Sequence, residues 1–309
     1  MTVIGMAATT PEPSQEMAAN EAMKPIILPV ERIQAIDVRE EDVFVITYAK
    51  SGTHWMSEIV QTIQHDGKMD MDIFEKRVFI DLKVIEENDD PRLVDAKKAE
   101  GASNTKLEDI KSPRVLVSHV KPEYLPKQLH EKKNKIIYVA RNPKDVAVSG
   151  YKMTSAMKSF IEMPPFEVLA ERFFEFTPVD AHGVWSESVI HWWKRRMDDN
   201  VLFIKYEDMK RDLKGAVKTV AAFLGKDLSP DVIDKITDHC QIENMKKSAI
   251  ARKDWFCKHY DMKESPFVRK GKVGGWKDHF TVALNQTFTK KYEELMQGTG
   301  LTFDFDLKK

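Results

Sequence analysis

An α/β fold with one central, mainly parallel sheet flanked by helices is predicted by three features of this sequence. Short β-branched and aromatic runs alternate with longer helical stripes, four such runs recur between residues 43 and 206, and no internal repeat or composition shift interrupts the order. The runs are VFVITY (43–48), RVLVSH (114–119), KIIYVA (135–140) and VLFIKY (201–206). Trp55, Ile59 and Ile63 recur every fourth residue after the first run, and Leu213, Val217, Val220 and Leu224 form a similar stripe after the last. Asn142-Pro143-Lys144-Asp145 reads as a helix start, with Asn as N-cap, Pro in the first helical position and Asp in the first turn. Residues 86–112 are polar and charged and read as a long surface insertion or mobile loop.

The chain has 309 residues, 42% of them hydrophobic, which suffices for a sizeable core. Its 48 Lys and Arg nearly cancel its 49 Asp and Glu, so no global field recruits nucleic acid or an acidic membrane surface. An anionic ligand must therefore be caught locally. Two cysteines, Cys240 and Cys257, are too few for a disulfide framework or a Cys-rich zinc site and fit a cytoplasmic, reducing location. No apolar run has membrane-spanning length, and the first Lys or Arg is Lys24, which fits neither a signal nor a basic transit peptide. Residues 1–24 read as a flexible tail, and 25–309 as one domain.

Four segments carry candidate chemistry. In VFVITYAKSGTHW (43–55), a strand feeds a tight turn and a helix N-terminus, the P-loop-like arrangement that gathers backbone N–H groups around an anion. Lys50 adds a point charge, and Ser51 and Thr53 add hydroxyl donors. It is not a Walker A loop, because the lysine precedes the glycine, and an ordinary strand-to-helix turn fits the same residues. In YVARNPKDVAVSGY (138–151), Arg141 ends a strand, where it can grip a phosphate or pair with Asp145, and Ser149 follows on the next helix. RVLVSHVKPEYLP (114–126) puts His119 at a strand end facing the ligand crevice of an open sheet, the place for a general base. An unperturbed imidazole there predicts that kcat/KM falls at acid pH within the range 5 to 8, about one side of a pKa near 6.5. His65, His130, His239, His259 and His279 lack such a setting, and no Cys/His spacing implies a metal. Arg269-Lys270-Gly271 could hold a second anionic group or form a solvated loop. Trp185, Trp192 and Trp193 have helical spacing that fits core packing.

Together these segments resemble the cytosolic sulfotransferase family over roughly residues 25 to 305. Its signature T-Y-P-K-S-G-T-x-W appears as Thr47 to Trp55, Y-x-x-R-N-P-K-D-x-x-V-S as Tyr138 to Ser149, and R-K-G-x-x-G-D-W-K-x-x-F-T as Arg269 to Thr281. The resemblance implies the donor 3′-phosphoadenosine 5′-phosphosulfate and no metal. It places Lys50, Ser51, Gly52, Thr53, His54 and Trp55 around the phosphosulfate and adenine side, Arg141, Ser149, Arg269, Lys270 and Gly271 at the 3′-phosphate, Tyr206 on the adenine, and His119 as catalytic base, with Lys50 stabilising the leaving phosphate. The acceptor would be a small, mostly apolar molecule with a hydroxyl or amine, in a pocket near 153–160 and 86–112. The sequence departs from the family pattern at Ala49, His54, Val117, Cys240-Gln241-Ile242 and Gly275. It carries Lys277, Thr281 and Val282 of a dimer motif that ends in Gln286, so monomer and homodimer both stay open. A nucleotide kinase of the same fold, and a non-catalytic binding relative, are the competing readings.

Overall fold

The computed structural model describes residues 27–69, 77–82, 106–156, 164–175, 180–251 and 271–307. The expected tail at 1–24, most of the 86–112 loop, Cys257 and the pair Arg269-Lys270 lie outside them.

In chain order the elements are α1 (Val30–Gln34), β1 (Val43–Thr47), α2 (Thr53–Gln64), β2 (Arg77–Phe79), β3 (Val115–Ser118), α3 (Gln128–Lys132), β4 (Lys135–Ala140), α4 (Pro143–Ala156), α5 (Phe166–Glu171), α6 (Trp185–Lys194), β5 (Val201–Lys205), α7 (Tyr206–Arg211), α8 (Leu213–Phe223), α9 (Pro230–His239), α10 (Ile242–Ala251) and α11 (Val282–Met296). The four predicted strands and the three predicted helices all form, each within a residue or two of the expected bounds at the ends that were read. Strand β2 was not anticipated: at three residues it is too short to show a period.

The five strands pair in the order β2-β3-β1-β4-β5, and every pairing is parallel. Val43 of β1 stands opposite Val115 of β3 on one side and Lys135 of β4 on the other. A parallel sheet is covered on both faces, so its strands are apolar throughout rather than alternating, and β1 is buried at all five positions. One face carries Phe44, Ile46, Leu116, Ile136 and Tyr138 against the aromatic side chains of α6 and α11, among them Trp185, Trp192, Phe288 and Tyr292. The other carries Val45, Val117, Ile137 and Val139 against the aliphatic stripes of α2, α8 and α9. Trp185 and Trp192 are fully buried core residues, as expected, whereas Trp193 packs at the margin.

Parallel strands bring all their carboxyl ends to one edge. The chain leaves β1 toward β2 and leaves β4 toward β5, so the order reverses between β1 and β4. Such a reversal opens a crevice at the strand ends, and the loops after β1 and β4 border it.

Candidate functional site

Three of the four singled-out segments meet at this edge. Lys50 to Gly52 follow β1, His119 follows β3, Arg141 follows β4, and Tyr206 opens α7 directly after β5. The turn after β1 is backbone-specified: Lys50 has φ 70° and Gly52 has φ 114°, both in the left-handed region. A Cβ on Gly52 would lie 2.9 Å from Cδ2 of Tyr206, so glycine is required by contact as well as by conformation. Gly52 is also the N-cap of α2 and offers no side chain to the first turn, which leaves those N–H groups directed at the loop. Ser51 is fully buried, and its hydroxyl has no protein partner.

Arg141 is fixed from several sides. Its Nη1 donates to the Lys50 carbonyl at 3.2 Å, its guanidinium lies 4.3 Å from the Tyr206 ring centroid, and its Nη2 is 3.7 Å from Oδ2 of Asp145. The pairing with Asp145 that the sequence allowed is present, but the side chain is only 12% exposed and its Nε has no partner. Tyr206 packs edge-on against Trp55 at 5.2 Å, and the Trp55 indole donates to the Cys240 carbonyl at 2.8 Å. Ser149 is buried on α4. Gly271 has φ 55°, and a Cβ there would come within 2.1 Å of Ile242, one of the departures from the family pattern. Lys50 Nζ contacts the Met153 sulfur at 2.9 Å, at the start of the expected acceptor pocket. Val117 is buried in the core and brings no cation to the site.

The His119 ring is oriented by its neighbours. Its Nδ1 is 2.9 Å from the Thr47 carbonyl oxygen, which can only accept, so Nδ1 bears the proton and Nε2 is the free lone pair of the neutral ring. Thr47 Oγ1 lies 3.1 Å from the same nitrogen and 2.7 Å from Thr53 Oγ1, linking His119 to the first turn of α2. The His119 backbone N–H donates to Oδ2 of Asp81 at 3.0 Å, and His182 stands edge-on at 5.6 Å, with its Nε2 3.7 Å from that carboxylate. The Phe79 ring lies between His54 and His119, at 5.8 and 5.6 Å.

Burial lowers the His119 pKa to about 4, against a raising effect from Asp81, with His182 and Lys50 adding to the fall. Such a shift keeps the ring neutral well below about pH 6.5 and moves the expected acid limb to lower pH than an unperturbed imidazole gives. Burial pushes Asp81 upward, but its contacts with His182 and His119 outweigh that and hold its carboxyl below the usual range. Burial also pushes Glu207 up to about 7, despite hydrogen bonds from Asn142 and the nearby Arg141 charge.

Thr47, Asp81, His182 and Glu207 were missed by sequence reading. The available signal was a polar residue inside or at the end of an apolar run, as in Val78 to Leu82 and Val43 to Tyr48. Among the described residues, no cluster of His, Cys, Asp and Glu is arranged to hold a metal, and no helix is long and apolar enough to cross a membrane.

Residues 40–300 match the family described as the sulfotransferase domain. Sulfotransferase 1B1 of Canis lupus familiaris is 39% identical over 276 residues, covering 88% of this chain and 89% of its own length. The chain belongs to the sulfotransferase family. Amine sulfotransferase of Oryctolagus cuniculus is 34% identical to this sulfotransferase over 289 residues, covering 90% and 88% of the two chains. Mouse sulfotransferase SULT7A1, solved in complex with PAP, is 28% identical with a TM-score of 0.66, covering 87% of this chain and 88% of its own. A retinol dehydratase solved with retinol and PAP has a TM-score of 0.75 at 24% identity, covering 96% and 97%, and shares the fold.

Proposed function

We propose that this sulfotransferase moves a sulfuryl group from 3′-phosphoadenosine 5′-phosphosulfate to a hydroxyl or amine of a small, mostly apolar acceptor, with His119 as general base. The observation that carries the reading is the His119 tautomer: Nδ1 is occupied by the Thr47 carbonyl, which leaves Nε2 unprotonated at the same sheet edge as Lys50.

The donor's fit rests on the polar atoms at that edge. The orphaned Ser51 hydroxyl, the orphaned Arg141 Nε and the uncapped start of α2 are donors in search of an anion. Lys50, Ser51, Gly52, Thr53, His54 and Trp55 would hold the phosphosulfate side, Tyr206 and Trp55 the adenine, and Arg141, Ser149 and Gly271 the 3′-phosphate. Arg269 and Lys270, assigned to that phosphate by motif, precede Gly271 in sequence. When bound, the donor supplies the transferable sulfuryl group. His119 Nε2 then takes the proton of the acceptor hydroxyl as the new S–O bond forms and the S–O bond to phosphate breaks. Lys50 and the α2 N–H groups offset the charge collecting on the leaving oxygen. The reading includes a catalytic domain of 25–309 in the cytoplasm and a tail of 1–24.

Sulfur-labelled donor incubated with a panel of phenols, steroids, alcohols and amines tests it, comparing the native enzyme with His119→Ala and Lys50→Ala. Each variant should lose label transfer by about a hundredfold or more. Undiminished transfer in both would sink the mechanism. Thermal shift by 3′,5′-adenosine diphosphate and not by ATP is the matching binding result, and the reverse would favour a kinase.

A further inference from the structure

At the start of α4, the carboxylate in the third helical position does not do what such a residue usually does. In a capping box that side chain turns back to the N–H of its own N-cap residue. Here Asn142 caps α4, its side-chain oxygen accepting from the Asp145 N–H at 2.9 Å. Its own N–H is already taken by Oε1 of Glu207 at 2.9 Å. Both oxygens of Asp145 are thereby released for partners elsewhere.

Two of those partners come from a distant part of the chain. Oδ1 accepts from the Trp276 N–H at 3.0 Å, and Oδ2 accepts from the Gly274 N–H at 3.0 Å and from Asn142 Nδ2 at 3.0 Å. The Arg141 guanidinium lies 3.7 Å from Oδ2 and also reaches the Lys272 carbonyl at 3.4 Å. Asp145 itself is only 3% exposed, so these contacts replace water rather than compete with it. The segment is gripped further by Lys144, whose Nζ lies 4.5 Å from the Trp276 ring centroid, and by the Trp276 indole donating to the Phe305 carbonyl at 2.8 Å.

We infer that Asp145 is a positioning residue for donor binding: one buried carboxylate fastens residues 272–276 to the end of β4 and holds Arg141 beside them. The inference rests on the donor-site reading above, because Arg141 and Gly271 are the groups it would keep in register. The partners of Asp145 are Asn142, Gly274, Trp276 and Arg141, and it is assigned no part in the transfer itself. Its removal strands two backbone N–H groups and takes the one carboxylate from the guanidinium's anchors, so donor affinity falls while chemistry on bound donor continues.

The test measures calorimetric binding of 3′,5′-adenosine diphosphate, KM for donor and acceptor, and kcat, in the native enzyme and in Asp145→Asn. Asn is isosteric but brings an NH2 group against those donors. Affinity for the nucleotide and 1/KM for the donor should each fall about tenfold, the loss of one charge-assisted interaction, with kcat and acceptor KM held within about threefold. Amide exchange at Gly274 and Trp276 in the ligand-free variant should quicken by about tenfold. Native affinity in the variant, or a loss confined to kcat or acceptor KM, overturns the inference while leaving the donor reading intact. A native enzyme that does not bind the nucleotide sinks the donor reading and this inference with it. Should Asp145→Asn not fold, Asp145→Glu, which keeps the charge but displaces it by one methylene, takes the same measurements with the same criteria.

Discussion

His119 commits one ring nitrogen to the Thr47 carbonyl, and its burial lowers the pH at which the ring takes up a proton. With the pKa lowered to about 4, mainly by desolvation, kcat/KM should be flat from pH 8 to about 5.5 and fall only below that. A pH–rate profile of the free enzyme checks this, and an acid limb centred near about 6.5 would show an ordinary, solvated imidazole. The same shift affects folding. A histidine whose folded pKa lies below its unfolded value contributes stability that is present above the unfolded pKa and lost as pH falls toward the folded one. Denaturant midpoints should therefore decline between about pH 6.5 and 4, and less steeply in His119→Asn. Asp81 opposes part of this by favouring the charged ring, which is why the fall is not larger.

At the scale of elements, the strand–turn–helix of β1 and α2 stands on Gly52. Gly52→Ala meets both a left-handed φ of 114° and a 2.9 Å approach to Tyr206, so the ring or the turn must move. The expected result is loss of nucleotide binding by about tenfold or more, read by calorimetry, together with about 1–3 kcal/mol of lost stability. This element was legible in the sequence because its parts are local: the apolar run of β1, the Lys-Ser-Gly-Thr turn and the Trp55-Ile59-Ile63 stripe each follow from neighbours along the chain. Asn142 and Pro143 announced α4 for the same reason. What stayed hidden is set by tertiary placement. Nothing near Asp81 or His182 in sequence says that they converge on His119, and nothing near Glu207 says that it takes the N–H of Asn142 and redirects Asp145. The strand order was equally unreadable, since apolar runs buried on both faces carry no mark of which neighbour they pair with. The candidate site was legible as motifs, whereas its charge balance was not.

Across the whole molecule, the aromatic layer joins the core to the site through Trp185. This residue is fully buried, with ring centroids 6.0 Å from Phe174 and 5.5 Å from Phe303, and its indole donates to the Arg141 carbonyl at 3.1 Å. Trp185→Ala should cost about 3–5 kcal/mol, a large part of the total for a protein of this kind, and lower the denaturation midpoint accordingly. Trp185→Phe should recover most of the packing but leave the carbonyl of Arg141 without its donor. That layer is closed by residues that follow the strands in sequence: Tyr292 on α11 and Phe303 beyond it pack against Trp185, just as Gly274 and Trp276 complete the partners of Asp145. A ribosome delivers these residues after all five strands. Before residues 274–303 are made, all five strands have been synthesised, yet the aromatic face lies open to water and Asp145 lacks the two amides it will hold. A chain cut before Trp276 should therefore yield an aggregation-prone product rather than a weakened enzyme, which expression and sedimentation of that truncation would check.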